Sequence, residues 1–232
     1  MTKNNLLADF KNGLIVSAQA RKGWPMYGEE IMGAFANAAD IGGAVGIRAT
    51  EPKNILAIKK KTDLPIIGIN KQWYNGYEVY ITPTYESAES IINAGASIIA
   101  LDGTMRKRPN NETLKGIIDK IKHNYPHILI MADCATLEDG INAERVGADI
   151  VSTTLRGYTT ETKHITEVDF KLIESLTSAL DIPIFAEGHV HTKKIARKAI
   201  ESGAHSVVVG TAITRPEIIT SWFVNELNKI NQ

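Results

Sequence analysis

The chain has 232 residues, 44% hydrophobic and 22% charged, with 26 acidic residues balancing 26 basic ones. That length suits one α/β barrel, and a formal charge of zero argues against a nucleic-acid or membrane surface as partner. The opening MTKNNLLADFKNG lacks the apolar core of a signal peptide, no apolar run is long enough to span a bilayer, and a single cysteine excludes an intrachain disulfide or cysteine zinc cage. A cytoplasmic protein is expected.

In chain order, the first strand candidate is GLIVSAQ from Gly13, followed by GGAVGIR from Gly42. EPKNILAIKKK then reads as a helix, with its closing lysines placed to complement the helix dipole. LPIIGINK from Leu64, the helical YESAESIINAG, and the strand AGASIIALD from Ala94 come next. The same alternation continues through NETLKGIIDKIKHN, HILIMAD from His127, LEDGINAERVG and VGADIVSTT from Val146. It ends with DFKLIESLTSAL, IPIFAEG from Ile182, KKIARKAIESG and SGAHSVVVGT from Ser202. Pro216 suits the first position of a closing helix.

Four of the strand candidates share a Gly-Ala pair, at Gly43, Gly95, Gly147 and Gly203, spaced by 52, 52 and 56 residues. Glycine followed by alanine and a β-rich run marks a helix C-cap feeding a strand. Eight apolar strands alternating with helices over this length give the fold class: α/β, a single (β/α)8 TIM barrel of the phosphate-binding type, as one domain over residues 1–232. A doubly wound open sheet is the alternative, and the regular repeat favours closure.

In such a barrel the chemistry sits where the strands end. Those ends carry Gln19, Arg48, Lys71, Asp102, Asp133, Thr153 with Thr154, Glu187 and Gly210. Lone polar residues at strand ends are usually turn formers, but a ring of them at one mouth reads as an active site. Gly188, Gly210 and Thr211 follow the last two strands, and Arg215 stands beside them. That is where barrels commonly hold phosphate, with backbone amides and an arginine fork as the grip. Lys71 suits a phosphate contact, a Schiff-base former or a general base. Strands three and seven face each other across an eight-stranded barrel, so Lys71 and Glu187 are placed to address two faces of one carbon. A structural ion pair is the plainer account of either residue alone.

GLIVSAQ, GGAVGIR, LPIIGINK, ALDGTMRKRP, IMADCATLEDG, STTLRGYT, FAEG and VVVGTAITRP, in this order, resemble the N-acetylmannosamine-6-phosphate 2-epimerase family over nearly the whole chain. The resemblance implies a (β/α)8 isomerase of bacterial sialic acid breakdown, interconverting N-acetylmannosamine 6-phosphate and N-acetylglucosamine 6-phosphate by proton exchange at C2. It implies Lys71 and Glu187 as catalytic residues and Gln19, Arg48 and Asp133 around the sugar, beside the strand-end Asp102, Thr153 and Thr154. It puts Arg215 on the phosphate, with Gly188, Gly210 and Thr211 as backbone partners. Members of the family often follow the lysine with Arg-Asp, whereas this chain has Gln72-Trp73.

No cofactor and no metal are expected. His189 and His191 form an HVH pair for which no other strand end supplies a third histidine, leaving a metal-dependent epimerase as a weaker alternative. Cys134 reads as a small apolar filler rather than a nucleophile. Trp24, Tyr27, Trp73 and Tyr74 fall in loops by the mouth or rim, where they cover sugar or form a subunit contact; a homodimer is one partner considered, beside the small-molecule substrate. Two other functions fit the residues: a silent sugar-phosphate-binding barrel, and another phosphate-handling isomerase or lyase.

Overall fold

A computed structural model describes residues 3–231. Helix α1 (Lys3–Asp9) precedes β1 (Gly13–Ala18), α2 (Glu29–Ile41), β2 (Gly46–Thr50), α3 (Pro52–Lys59) and β3 (Ile66–Ile69). Then follow α4 (Tyr85–Asn93), β4 (Ile98–Asp102), a short 3-10 turn at Pro109–Asn111, α5 (Leu114–Asn124), β5 (Leu129–Asp133), α6 (Leu137–Arg145) and β6 (Ile150–Ser152). The chain closes with α7 (Phe170–Ala179), β7 (Ile184–Glu187), α8 (Lys193–Glu201), β8 (Ser206–Val209), α9 (Thr211–Thr214) and α10 (Pro216–Asn228). All eight strands are parallel and join in the order β1 to β8, with β8 pairing back onto β1. The open-sheet alternative is thereby replaced by a closed barrel.

The Gly-Ala repeat does what its chemistry demands. Gly43, Gly95, Gly147 and Gly203 each adopt a positive φ just after a helix, where a side chain would be strained. The amide of each following alanine reaches back to a carbonyl of the last helical turn: Ala44 to Ala39, Ala96 to Ile91, Ala148 to Ala143 and Ala204 to Ala199. These are Schellman closures, and each satisfies carbonyls that a helix end otherwise leaves open. Four helices therefore stop at equivalent points and release the chain into a strand.

Side-chain alternation divides the interior into two layers. Ile47, Ala49, Ile99, Leu101, Ile130, Ala132 and Val151 point outward, packing with the helices. Ile15, Ile67, Ile98, Leu129, Ile150, Phe185 and Val208 fill the barrel itself. Its lower end is closed by Phe10, fully buried just after α1 and set against the Phe185 ring at 5.6 Å between centroids. Gly46 makes room for it, since a β-carbon there would lie 2.6 Å from the Phe10 ring. With the lower end full of hydrocarbon, the inward positions nearer the strand C-termini are where polar groups remain. Phe10→Ala leaves a cavity at the sealed end and is expected to cost about 3–5 kcal/mol in urea unfolding, with turnover unchanged.

Candidate active site

The parity that fills the barrel also aims its polar residues. Counting by twos from the inward apolar positions brings Arg48 on β2, Asp133 on β5, Thr154 after β6 and Glu187 on β7 to one level. Arg48 is the middle residue of its strand, rather than a strand-end residue, and its side chain is fully buried. Its guanidinium donates to both carboxylate oxygens of Asp133, at 3.0 and 2.5 Å, and to Glu187 Oε2 at 2.6 Å. The Thr154 hydroxyl lies 2.7 Å from Asp133 Oδ1 and 3.0 Å from Glu187 Oε2, and Ser152 Oγ is 2.8 Å from it. One cation thus organises two carboxylates on strands that are not neighbours.

Burial works against the Arg48 charge, but Asp133 and Glu187 outweigh it and hold the guanidinium firmly protonated. Burial drives Glu187 above the usual carboxylate range, with Asp133 adding to the effect and Arg48 opposing it. Lys71 moves the other way. Burial, then the positive charges of Arg48 and Arg21, bring it down from an ordinary 10.5 to about 8, against the pull of Glu187 and Asp133. A lysine and a glutamate that differ widely in water are drawn together here, which is the condition for both to pass protons near neutrality.

Lys71 stands two residues past β3, and its backbone pairs with Ile81 in an antiparallel bridge. Gln72 N–H donates to the Tyr80 carbonyl at 2.9 Å, so residues 70–82 fold out and back as a narrow excursion. The Gln72-Trp73 pair has a local consequence: Trp73 stacks on Tyr80 with 5.7 Å between centroids and receives the Arg21 guanidinium 5.1 Å from its own. Tyr80 and Ile81 line the cavity beside Lys71.

A cavity of about 360 Å³ opens at the strand C-termini. Of the residues expected from sequence, Gln19, Arg48, Lys71, Thr154, Glu187, Gly188, Gly210, Thr211 and Arg215 line it. Three others lie elsewhere. Asp133 is fully buried against Arg48 as its counter-charge. Thr153 points away from the barrel axis, where its hydroxyl donates to the Glu187 carbonyl at 2.9 Å and accepts from the Glu187 amide at 3.1 Å. Asp102 is bound by Thr104 and by Arg106 at 2.7 Å, while Arg108 donates to its backbone carbonyl. Arg106 and Arg108 lie on the loop after β4, so Asp102 serves that loop rather than the cavity wall.

Sequence reasoning also passed over Ser17, Arg21, Tyr80, Tyr158 and Thr214, all in the wall. Ser17 was accessible by counting two from Ile15. Arg21, Tyr80 and Tyr158 come from loops, which carry no such signal, and Thr214 ends the short helix α9. Cys134 is fully buried, and burial pushes its thiol well above the ordinary value, so it is an inert filler. His189 stacks on Tyr158 at 4.9 Å, and its ring meets His191 edge-on at 6.3 Å. Among the described residues no group of three or more His, Cys, Asp or Glu is arranged to hold a metal ion. Among the same residues no helix is long and apolar enough to cross a membrane.

Fold and cavity define a class: a (β/α)8 barrel in which a lysine just past β3 and a glutamate ending β7 open into one polar pocket. A family model described as "Putative N-acetylmannosamine-6-phosphate epimerase" matches residues 32–229. Relatives from Caldanaerobacter subterraneus and Clostridioides difficile, both designated "Putative N-acetylmannosamine-6-phosphate 2-epimerase", are each 48% identical; the first alignment spans 95% of this chain and 93% of the relative, the second 96% and 99%. The solved N-acetylmannosamine-6-phosphate 2-epimerase of Clostridium perfringens superposes with a TM-score of 0.92 at 46% identity, over 95% of both chains. The chain belongs to the N-acetylmannosamine-6-phosphate 2-epimerase family.

Because Asp133 is the counter-charge of a buried cation, removing it strands that charge in the barrel. Asp133→Ala is expected to cost about 3–5 kcal/mol in chemical denaturation, against 1 kcal/mol or less, roughly, for removing a surface partner such as Asp119.

Proposed function

We propose that this chain interconverts N-acetylmannosamine 6-phosphate and N-acetylglucosamine 6-phosphate by exchanging the proton at C2. The observation that carries the reading is the presence in one cavity of Lys71, just past β3 and lowered to about 8, and Glu187, at the end of β7 and raised by burial. Membership of the family supports the substrate.

The sugar opens so that C1 is an aldehyde, which makes the C2 hydrogen acidic. Neutral Lys71 takes that proton on its Nζ while the electron pair moves to O1 as an enolate. Glu187, as the carboxylic acid, returns a proton to C2 from the opposite face, and the carbonyl re-forms. In the reverse direction the charged lysine gives and the carboxylate takes. Gln19 supplies a donor for the developing oxyanion or the N-acetyl group, while the fully buried Arg48 acts through the Glu187 carboxylate. Asp133 acts through Arg48, and Thr153 acts by fixing the Glu187 backbone. Gly188, Gly210, Thr211 and Arg215 share one flank of the cavity and form the phosphate site of this reading. No cofactor is required by these steps.

A barrel that binds sugar phosphate without turning it over has no use for a lysine lowered towards neutrality opposite a raised glutamate, so turnover is the better reading. Residence in the cytoplasm fits the balanced charge and the single reduced, buried cysteine. The chain also pairs with a second copy through α10. None of that helix's residues is buried, and it carries Trp222, Phe223, Val224 and Leu227 exposed, with Ile230 just beyond. Exposed apolar surface of this kind marks a protein contact. Light scattering should report a dimer that Phe223→Glu with Leu227→Glu converts to monomer; a monomeric parent removes the pairing.

Incubation with N-acetylmannosamine 6-phosphate in deuterated water, followed by proton NMR, should show the second epimer with deuterium at C2. Lys71→Ala and Glu187→Gln should each lower net epimerisation by at least about 10²-fold. A loss under tenfold in Glu187→Gln moves the second proton carrier elsewhere. That direction needs Lys71 neutral and Glu187 protonated together, so kcat/KM should follow a bell, rising on the acid side and falling on the alkaline side; a profile that stays level to high pH would count against the pair.

A further inference from the structure

A guanidinium at the rim of the cavity stands without an ion-pair partner among the described residues. Arg21, on the loop after β1, is exposed, and its guanidinium forms no ion pair among the described residues. It is nonetheless held in place, 5.5 Å from the centroid of Trp24 and 5.1 Å from that of Trp73. Trp73 is itself fixed by stacking on Tyr80. The Arg215 guanidinium lies 3.8 Å from the same Trp24 ring, with its Nε committed to Glu217 at 2.8 Å. Two guanidiniums thus converge on one indole at the rim of the pocket, and one of them is already partly neutralised.

A sugar phosphate carries close to two negative charges at neutral pH. Arg215, sharing its charge with Glu217, offsets at most one of them. Planar guanidiniums stacked on aromatic rings are pre-ordered, so less side-chain freedom is lost when they take up an anion. We propose that Arg21 is a second cationic contact for the substrate's phosphate, acting with Arg215 around Trp24 to select the phosphorylated sugar. This rests on the phosphate-site reading above. A consequence follows for Lys71, which faces Arg48 and Arg21 on the positive side and Glu187 and Asp133 on the negative. Removing Arg21 relieves part of the repulsion on the ammonium, so the limb of the kcat/KM profile that Lys71 sets moves to higher pH.

The test compares the parent with R21L, which keeps an apolar stem against the indoles, and R21K, which keeps charge without the fork. Inorganic phosphate is the probe, as a competitive inhibitor and as protection against thermal unfolding. In R21L the KM for the phosphorylated sugar and the phosphate inhibition constant should rise together by about fivefold, with kcat at its pH optimum within about twofold of the parent. R21K should fall between. Both constants within about twofold of the parent would falsify the proposal. So would a fall in kcat with phosphate affinity unchanged, since Arg21 would then only prop the aromatic rim. Should the parent fail to epimerise, the epimerase reading falls, and weakened phosphate protection in R21L still decides the role of Arg21. If R21L does not fold, R21Q is measured in its place with the same expectations.

Discussion

A fully buried arginine inside a barrel of isoleucine, valine and phenylalanine is the constraint on which the rest of the site depends. Arg48 cannot lose its proton and cannot reach water, so its charge must be met inside the barrel. Asp133 meets it with two parallel hydrogen bonds, and Glu187 takes one more. Because these carboxylates come from β5 and β7, the ion network braces the barrel across its interior just below the cavity. Charge pairs of this kind add little net stability, but once present none of the partners can be withdrawn cheaply.

The same cation sets the electrostatics that the chemistry needs. Arg48 opposes protonation of Glu187 and also opposes protonation of Lys71. The second effect adds to burial, whereas the first subtracts from it. Arg48 therefore restrains the rise of Glu187 and helps bring Lys71 down towards neutrality. Without Arg48, Lys71 would be lowered less far and Glu187 raised further. Thr153 and Thr154 complete the arrangement by holding the Glu187 backbone and carboxylate respectively.

Above this rigid base the mouth is built differently. Its wall comes from loops held by aromatic stacking: Trp73 on Tyr80, His189 on Tyr158, and two arginines on Trp24. His191 meets Trp222 of α10 at 5.0 Å, which links the rim to the exposed terminal helix. The division suits a catalyst, with proton carriers on strands and substrate-facing groups on loops.

Much of the fold was legible because its signals are local. A Gly-Ala closure needs only the last helical turn and the glycine, so GGAVGIR, AGASIIALD, VGADIVSTT and SGAHSVVVGT announced their helix-to-strand junctions without tertiary information. Their spacing pointed to closure, and Lys71 and Glu187 on strands three and seven followed from counting. What stayed hidden depends on groups far apart in the chain. Thr153 and Thr154 are neighbours in sequence, yet parity turns only Thr154 into the cavity. Asp102 points inward like Asp133, but Arg106 and Arg108 fold over it, and a loop's path is not encoded in periodicity. Arg21 and Trp73 are 52 residues apart, and their contact exists only because the excursion after β3 returns to the β1 loop. Local hydrogen-bond chemistry determined the strands and their ends; only the closed barrel decided which charged groups face one another, because charges pair through space.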